Sequence, residues 1–84
     1  MRLVFTRHGW EDYLHWQTAD GTVVTRVNRL LEEAPRDSIT GIGKPEQLRH
    51  GLVGAWSRRI TGEHRLVCLV DGHDLVVLQA CYHC

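Results

Sequence analysis

The sequence predicts an α+β fold: a small, mostly antiparallel β-sheet with two N-terminal helices packed on one face. Three observations carry that prediction. Apolar residues recur with helical spacing in two successive segments before Pro35. Three segments with strand character follow Gly54. Asp71-Gly72-His73, between the last two of them, is a good hairpin turn. With 84 residues, 43% of them hydrophobic, the chain reads as one domain, 1–84, with apolar content for a single core.

The elements follow in order. "RLVFT" (2–6) is a short apolar run suited to a first strand. In "GWEDYLHWQ", Trp10, Tyr13 and Leu14 stand at i, i+3 and i+4, one face of a helix, so Trp10 is expected in the core. Asp20 and Gly21 break the pattern, with Asp20 placed to cap the next helix. "TVVTRVNRLLEEA" then puts Val23, Val27, Leu30, Leu31 and Ala34 on one stripe, and Pro35 stops the helix. Residues 36–54, with glycines at 41, 43, 51 and 54, read as loop. "AWSRRIT" (55–61) alternates Trp56, Arg58 and Ile60 against Ser57, Arg59 and Thr61, and Trp56 is expected in the core. "EHRLVCLV" (63–70) and "DLVVLQACYH" (74–83) are the last strands, the apolar density of "LVVL" suggesting burial on both faces.

Composition narrows the function classes. The longest apolar runs are far too short to span a bilayer. "MRLVFTRHGW" lacks the apolar stretch of a secretion signal, so the chain reads as cytoplasmic and its three cysteines as thiols. The formal net charge is zero, yet residues 44–65 hold five basic residues against two acidic ones. That window is therefore +3 and the remainder −3, a pattern of a local anion site rather than a general nucleic-acid coat.

The anion site has identifiable parts. Arg58, Arg59 and Arg65 lie on two strands joined by Thr61-Gly62-Glu63, which brings Arg59 and Arg65 close across an antiparallel ladder. Such a pair either clasps a phosphodiester through paired guanidinium hydrogen bonds or is neutralised by Glu46 and Glu63. An unperturbed imidazole can donate or accept a proton near neutral pH, so His83 suits proton transfer, although a lone terminal histidine is usually structural or solvated. Glu46, in the glycine-rich loop, supplies a base. An acid, a base and arginines suffice to cleave RNA through its own 2′-hydroxyl, a reaction that requires no metal and no cofactor.

"GKPEQLRHGLVGAWSRRITGEHRLV", followed by "ACYHC", resembles the YoeB toxin family within the RelE-like bacterial toxins. The likeness runs upstream through W-x-D-Y-L-x-W-Q and covers essentially the whole chain. It implies the RelE-like, microbial-ribonuclease-type fold and the toxin of a type II toxin–antitoxin pair. The implied activity is cleavage of mRNA in the A site of the 70S ribosome, leaving a 2′,3′-cyclic phosphate and a 5′-hydroxyl. The glutamate of K-P-E falls on Glu46, the implied general base. The arginine of E-H-R falls on Arg65, which would stabilise the phosphorane. The penultimate histidine falls on His83, the implied general acid. Lys44, Arg49, Arg59 and Cys84 complete the implied RNA contacts. Arg49 stands where the family has lysine, and Cys84 where it has a terminal tyrosine, a ring suited to stacking on a base. The implied partners are mRNA, the ribosome, a YefM-like antitoxin that crosses the site with acidic residues, and commonly a second copy of the toxin. The alternative is a non-catalytic RNA- or ribosome-binding module of the same fold.

"CYHC" itself invites a redox or zinc reading. Were residues 81–84 to continue the last strand, the Cα atoms of Cys81 and Cys84 would lie about 10 Å apart, beyond the roughly 4.4–6.8 Å of a disulfide. No second Cys/His pair of suitable spacing exists to complete a zinc site. The expectation is therefore that Cys81 is a small core residue and Cys68 a buried strand thiol.

Overall fold

Two side chains set where the helices begin. Thr6 follows strand β1 (Arg2–Phe5), and its hydroxyl accepts the Gly9 N–H at 3.0 Å, capping helix α1 (Arg7–Ala19). Asp20 closes α1, its N–H donating to the Trp16 carbonyl at 3.0 Å. Its carboxylate also accepts the Thr22 N–H at 3.0 Å and so caps helix α2 (Gly21–Glu33). The helices thus abut through one residue. The computed structural model describes residues 2–35, 45–47 and 54–81. The remaining strands are β2 (Glu46–Gln47), β3 (Ala55–Arg59), β4 (Arg65–Asp71) and β5 (Asp74–Gln79).

The five strands form one sheet in the order β1-β5-β4-β3-β2. β1 pairs with β5 in parallel and every other neighbouring pair is antiparallel, so the predicted α+β architecture is the one observed. The β4–β5 hairpin closes at Asp71 opposite Asp74, and Gly72 takes φ = 60°, the left-handed backbone that such turns favour. Arg2 clasps Asp74 across the parallel pair through bonds of 2.8 and 3.1 Å. That hydrogen bond holds the Asp74 carboxyl below its ordinary range and raises the Arg2 guanidinium. The pairing of Glu46 and Gln47 with β3 was not expected, since residues 36–54 read as loop.

The α2 stripe is buried as its periodicity requires: Val23, Val27, Leu30, Leu31 and Ala34 pack with Leu66, Cys68, Leu75 and Val77 of the sheet. Because the helices cover one face only, β5 is not buried on both. Leu75 and Val77 are buried, whereas Val76 and Leu78 are half-buried.

Helix α1 differs from expectation. Its buried residues are Gly9, Asp12 and Trp16, while Trp10 and Leu14 remain 45% and 41% exposed. Gly9 decides the orientation. The helix backbone there rests on β5, and a Cβ at residue 9 would fall on the Val77 carbonyl oxygen. Turned this way, α1 presents its apolar stripe outward, where Trp10 and Tyr13 gather with Phe5 at ring separations of 5.5–5.8 Å. Trp56, by contrast, is partly buried and lines the same internal space as Leu66, Cys68 and Leu75, as expected.

The cysteines divide. Cys68 is a free thiol, and burial pushes its pKa up to about 12 against a lowering influence from Arg58. Cys81 is buried in the core, as expected, but is disulfide-bonded, which corrects the expectation that the three cysteines are thiols. The extended-strand premise is not met at its start, because β5 ends at Gln79 and the chain bends at Ala80; Cys84 lies outside the described residues. Among the described residues, no helix is long and apolar enough to cross a membrane.

Candidate active site

Strand pairing gathers the charged residues on one side of the sheet. Glu46 lies opposite Ser57, Ser57 opposite Val67, and Val67 opposite Gln79. Directly opposed side chains project to the same face, and two residues along a strand restore that face. Arg59 and Arg65, themselves directly opposed, therefore share it with Glu46 and Ser57. Leu66, Cys68, Leu75 and Val77 occupy the alternate positions that meet the helices, so the charged row lies on the face the helices leave open. Arg58 follows the buried alternation and is 2% exposed, which separates it from its neighbour Arg59. A register shift in the β4–β5 ladder keeps Gln79 on the charged side although Val77, two residues before it, faces the core.

At the centre is the Arg65 guanidinium. Its Nη1 donates to the Ser57 hydroxyl at 3.2 Å and lies 3.7 Å from a Glu46 carboxylate oxygen. Ser57 is buried, so it presents a fixed acceptor, while the Arg65 and Glu46 side chains are 39% and 68% exposed. An exposed ion pair of this length is worth only ~0–1 kcal/mol. A phosphate can therefore displace the carboxylate from the guanidinium at little cost, leaving both groups beside the incoming anion. The Arg59–Arg65 juxtaposition adds a second positive charge on the same rung. Glu63 does not join them; its carboxylate is 3.8 Å from His64.

Of the residues expected from the sequence, the structure brings Glu46, Arg59 and Arg65 to one face. Lys44, Arg49, His83 and Cys84 lie outside the described residues. Ser57 was not anticipated as a site residue. Its alternation with Arg59 signalled the shared face, but nothing in a lone serine announces a hydroxyl held under a guanidinium. Among the described residues, no group of three or more His, Cys, Asp or Glu side chains is arranged to hold a metal ion.

Comparison with known proteins gives the site a family context. Residues 5–84 match the model of the YoeB-like toxin of bacterial type II toxin–antitoxin systems. The chain is 52% identical to toxin YoeB of Streptomyces coelicolor over 83 residues, 99% of each chain. Its fold is similar to that of a YoeB/ParE toxin from Agrobacterium tumefaciens, with TM-score 0.93, 44% identity and complete coverage of both chains. It is also similar to the toxin in a heterotetrameric YoeB–YefM toxin–antitoxin complex from Staphylococcus aureus, with TM-score 0.89, 39% identity and coverage of 100% and 98%. The two-helix, five-stranded fold and a match over nearly the whole sequence lead to one conclusion: this chain belongs to the YoeB-like toxin family of bacterial type II toxin–antitoxin systems.

Proposed function

We propose that this toxin is a ribosome-dependent endoribonuclease that cuts mRNA in the ribosomal A site and so halts translation. The observation that carries the reading is the Glu46–Arg65 pair, a carboxylate and a guanidinium 3.7 Å apart on an open sheet face beside Arg59. The nucleophile is supplied by the substrate. Glu46 takes the proton of the ribose 2′-hydroxyl, and the 2′-oxygen attacks the adjacent phosphorus. Arg65, steadied by Ser57, neutralises the charge that builds on the non-bridging oxygens, with Arg59 as a second phosphate contact. The bond from phosphorus to the 5′-oxygen breaks, and that oxygen takes a proton from His83. The products are a 2′,3′-cyclic phosphate and a 5′-hydroxyl. No step calls for a metal ion, because acid, base and charge stabilisation all come from side chains. In this reading Lys44, Arg49 and Cys84 are further contacts to the RNA.

A YefM-like antitoxin is the proposed neutralising partner, as the Staphylococcus aureus relative is seen with YefM. Its binding segment should carry carboxylates against Arg59 and Arg65. Homodimerisation belongs to the same proposal. The exposed Leu3, Val4, Trp10 and Leu14 offer apolar area for a second copy.

The test is single-turnover cleavage of a short mRNA on programmed ribosomes, with product ends mapped. Glu46→Ala, Arg65→Ala and His83→Ala should each lower the rate by ~10²–10⁴-fold while leaving the fold intact. Rates within threefold of wild type for all three variants would remove the assignment and leave a ribosome-binding module.

A further inference from the structure

Residues 60–64 join β3 to β4, and their bonds define the rung beside them. The Ile60 and Thr61 N–H groups both donate to the His64 carbonyl, at 2.9 and 3.1 Å. The His64 N–H, which a regular ladder would direct to the Ile60 carbonyl, donates to the Thr61 hydroxyl at 3.2 Å. Hydrogen-bonded and non-hydrogen-bonded pairs alternate along an antiparallel ladder. Arg59–Arg65, one step in from Ile60–His64, is therefore a non-hydrogen-bonded pair. In such a pair the Cα atoms approach to ~4.5 Å and the side chains stand closest. Like charges directly opposed in this way push the strands apart. On Arg65 the push is partly offset by Glu46 at 3.7 Å, but among the described residues no carboxylate pairs with Arg59. The other charged groups at hand do not relieve it. The Arg26 guanidinium donates to the Arg59 carbonyl at 3.4 Å, which adds a third positive group, and the Glu63 carboxylate lies 3.8 Å from His64. His64 is the fixed point. Its side chain is 14% exposed and packs edge-on against Trp16 at 4.8 Å, and the Trp16 indole N–H donates to the Ala80 carbonyl at 2.7 Å.

Two guanidinium groups share one phosphate only while their strands hold register. Donors held ready in advance need no rearrangement as charge develops on the phosphate. We infer that Thr61 is a positioning residue for the Arg59–Arg65 phosphate contact: its hydroxyl secures His64 and so keeps Arg65 abreast of Arg59 against the repulsion between them. The inference rests on the reading of these two arginines as phosphate contacts given above.

Amide hydrogen exchange at Ile60, read by NMR on the whole chain, reports the closure of the turn without requiring RNA cleavage. Thr61→Val removes the acceptor at nearly constant volume, and Thr61→Ser retains it. At ~0.01 M salt, where charges act over ~30 Å, Ile60 of Thr61→Val should exchange ~10-fold faster than in wild type, about the effect of losing one hydrogen bond. The amide of the buried Val77 should keep its wild-type protection. About 1 M KCl, which screens charges beyond ~3 Å, should return Ile60 to within ~3-fold of wild type, and so should Arg59→Gln in the same chain. Thr61→Ser should match wild type throughout. On programmed ribosomes Thr61→Val should cut mRNA ~10-fold more slowly, with no added loss in the Arg65→Ala background. Unchanged exchange in Thr61→Val, or an acceleration that neither salt nor Arg59→Gln reverses, would overturn the inference and leave Thr61 an ordinary turn residue. Wild-type cleavage by Thr61→Val, with Arg65→Ala impaired, would overturn it as well. Wild-type cleavage by Arg65→Ala would defeat the phosphate-contact reading and take this inference with it. Should Thr61→Val not fold, Thr61→Ala is judged by the same criteria.

Discussion

Gly9→Ala adds one methyl group, and the structure says where it goes. It would fall on the Val77 carbonyl oxygen and 3.0 Å from the carbonyl carbon, both backbone atoms of an internal strand that cannot rotate aside. The same carbonyl accepts the Thr6 N–H at 3.1 Å and the Thr6 hydroxyl at 3.2 Å, so backing α1 away loosens the cap that starts the helix. Overpacking against rigid partners costs ~1–3 kcal/mol, and the upper half of that range applies when hydrogen bonds stretch as well. Alanine's better helix propensity returns about 1 kcal/mol. The net expectation is a loss of ~1–2 kcal/mol. For a domain of this size each kcal/mol lowers Tm by about 4–8 °C, so Gly9→Ala should melt roughly 4–16 °C below wild type. Gly21→Ala is the control, since a Cβ there meets nothing within 4 Å. Thermal denaturation followed by far-UV circular dichroism provides the measurement. A Gly9→Ala protein at least as stable as wild type would refute the contact and the argument that this glycine turns α1.

Three further outcomes follow from the packing and the site. Trp16→Ala should cost ~3–5 kcal/mol, whereas Trp10→Ala, at a half-exposed position, should cost about 1 or less; urea midpoints in the reverse order would restore the outward stripe of α1 to the core. Ser57→Ala removes the acceptor that steadies Arg65, and ribosome-dependent cleavage should fall ~10-fold with the fold retained; an unchanged rate would show that Arg65 orients without it. Cys68, with its pKa raised by burial to about 12, should resist iodoacetamide at pH 8 until the protein unfolds. Because the folded pKa lies above the unfolded one, near ~8.5–9, this thiol's contribution to stability is complete below that range and is lost progressively as pH rises towards 12. Rapid alkylation of native Cys68 would contradict its burial.

What the sequence discloses depends on whether a signal is local. The α2 stripe, the Asp20 cap, the Asp-Gly hairpin and the alternation through Ser57, Arg58 and Arg59 are written in neighbouring residues, and each appears as expected. The face of α1 was not legible because two stripes compete. Trp10, Tyr13 and Leu14 have the stronger apolar periodicity, yet the close approach allowed by Gly9 selects Gly9, Asp12 and Trp16. Strand β2 was hidden for a different reason: two polar residues pair with β3 without a pattern of their own. The bend at Ala80 likewise left no mark in the sequence. In the site, Glu46 and Arg65 were named through resemblance and periodicity. Their 3.7 Å approach and the hydroxyl of Ser57 come only from the folded register.

The place of β5 in the sheet has a consequence for how such a molecule is made. β5 lies between β1 and β4, so the segment translated after the other strands becomes an internal strand of the sheet, pairing with a strand 72 positions upstream. Until residues 74–79 clear the ribosome, β1 has no neighbour and the core lacks Leu75 and Val77. Pairing at such separation is slow to form, and nothing before it closes the sheet. A nascent chain of this kind cannot complete its sheet before β5 has emerged. The bond between Trp16 and Ala80 and the gathering of Arg65 with Glu46 await a sheet that synthesis completes late. The topology works as a delay, separating the synthesis of most of the strands from the moment a folded toxin can exist.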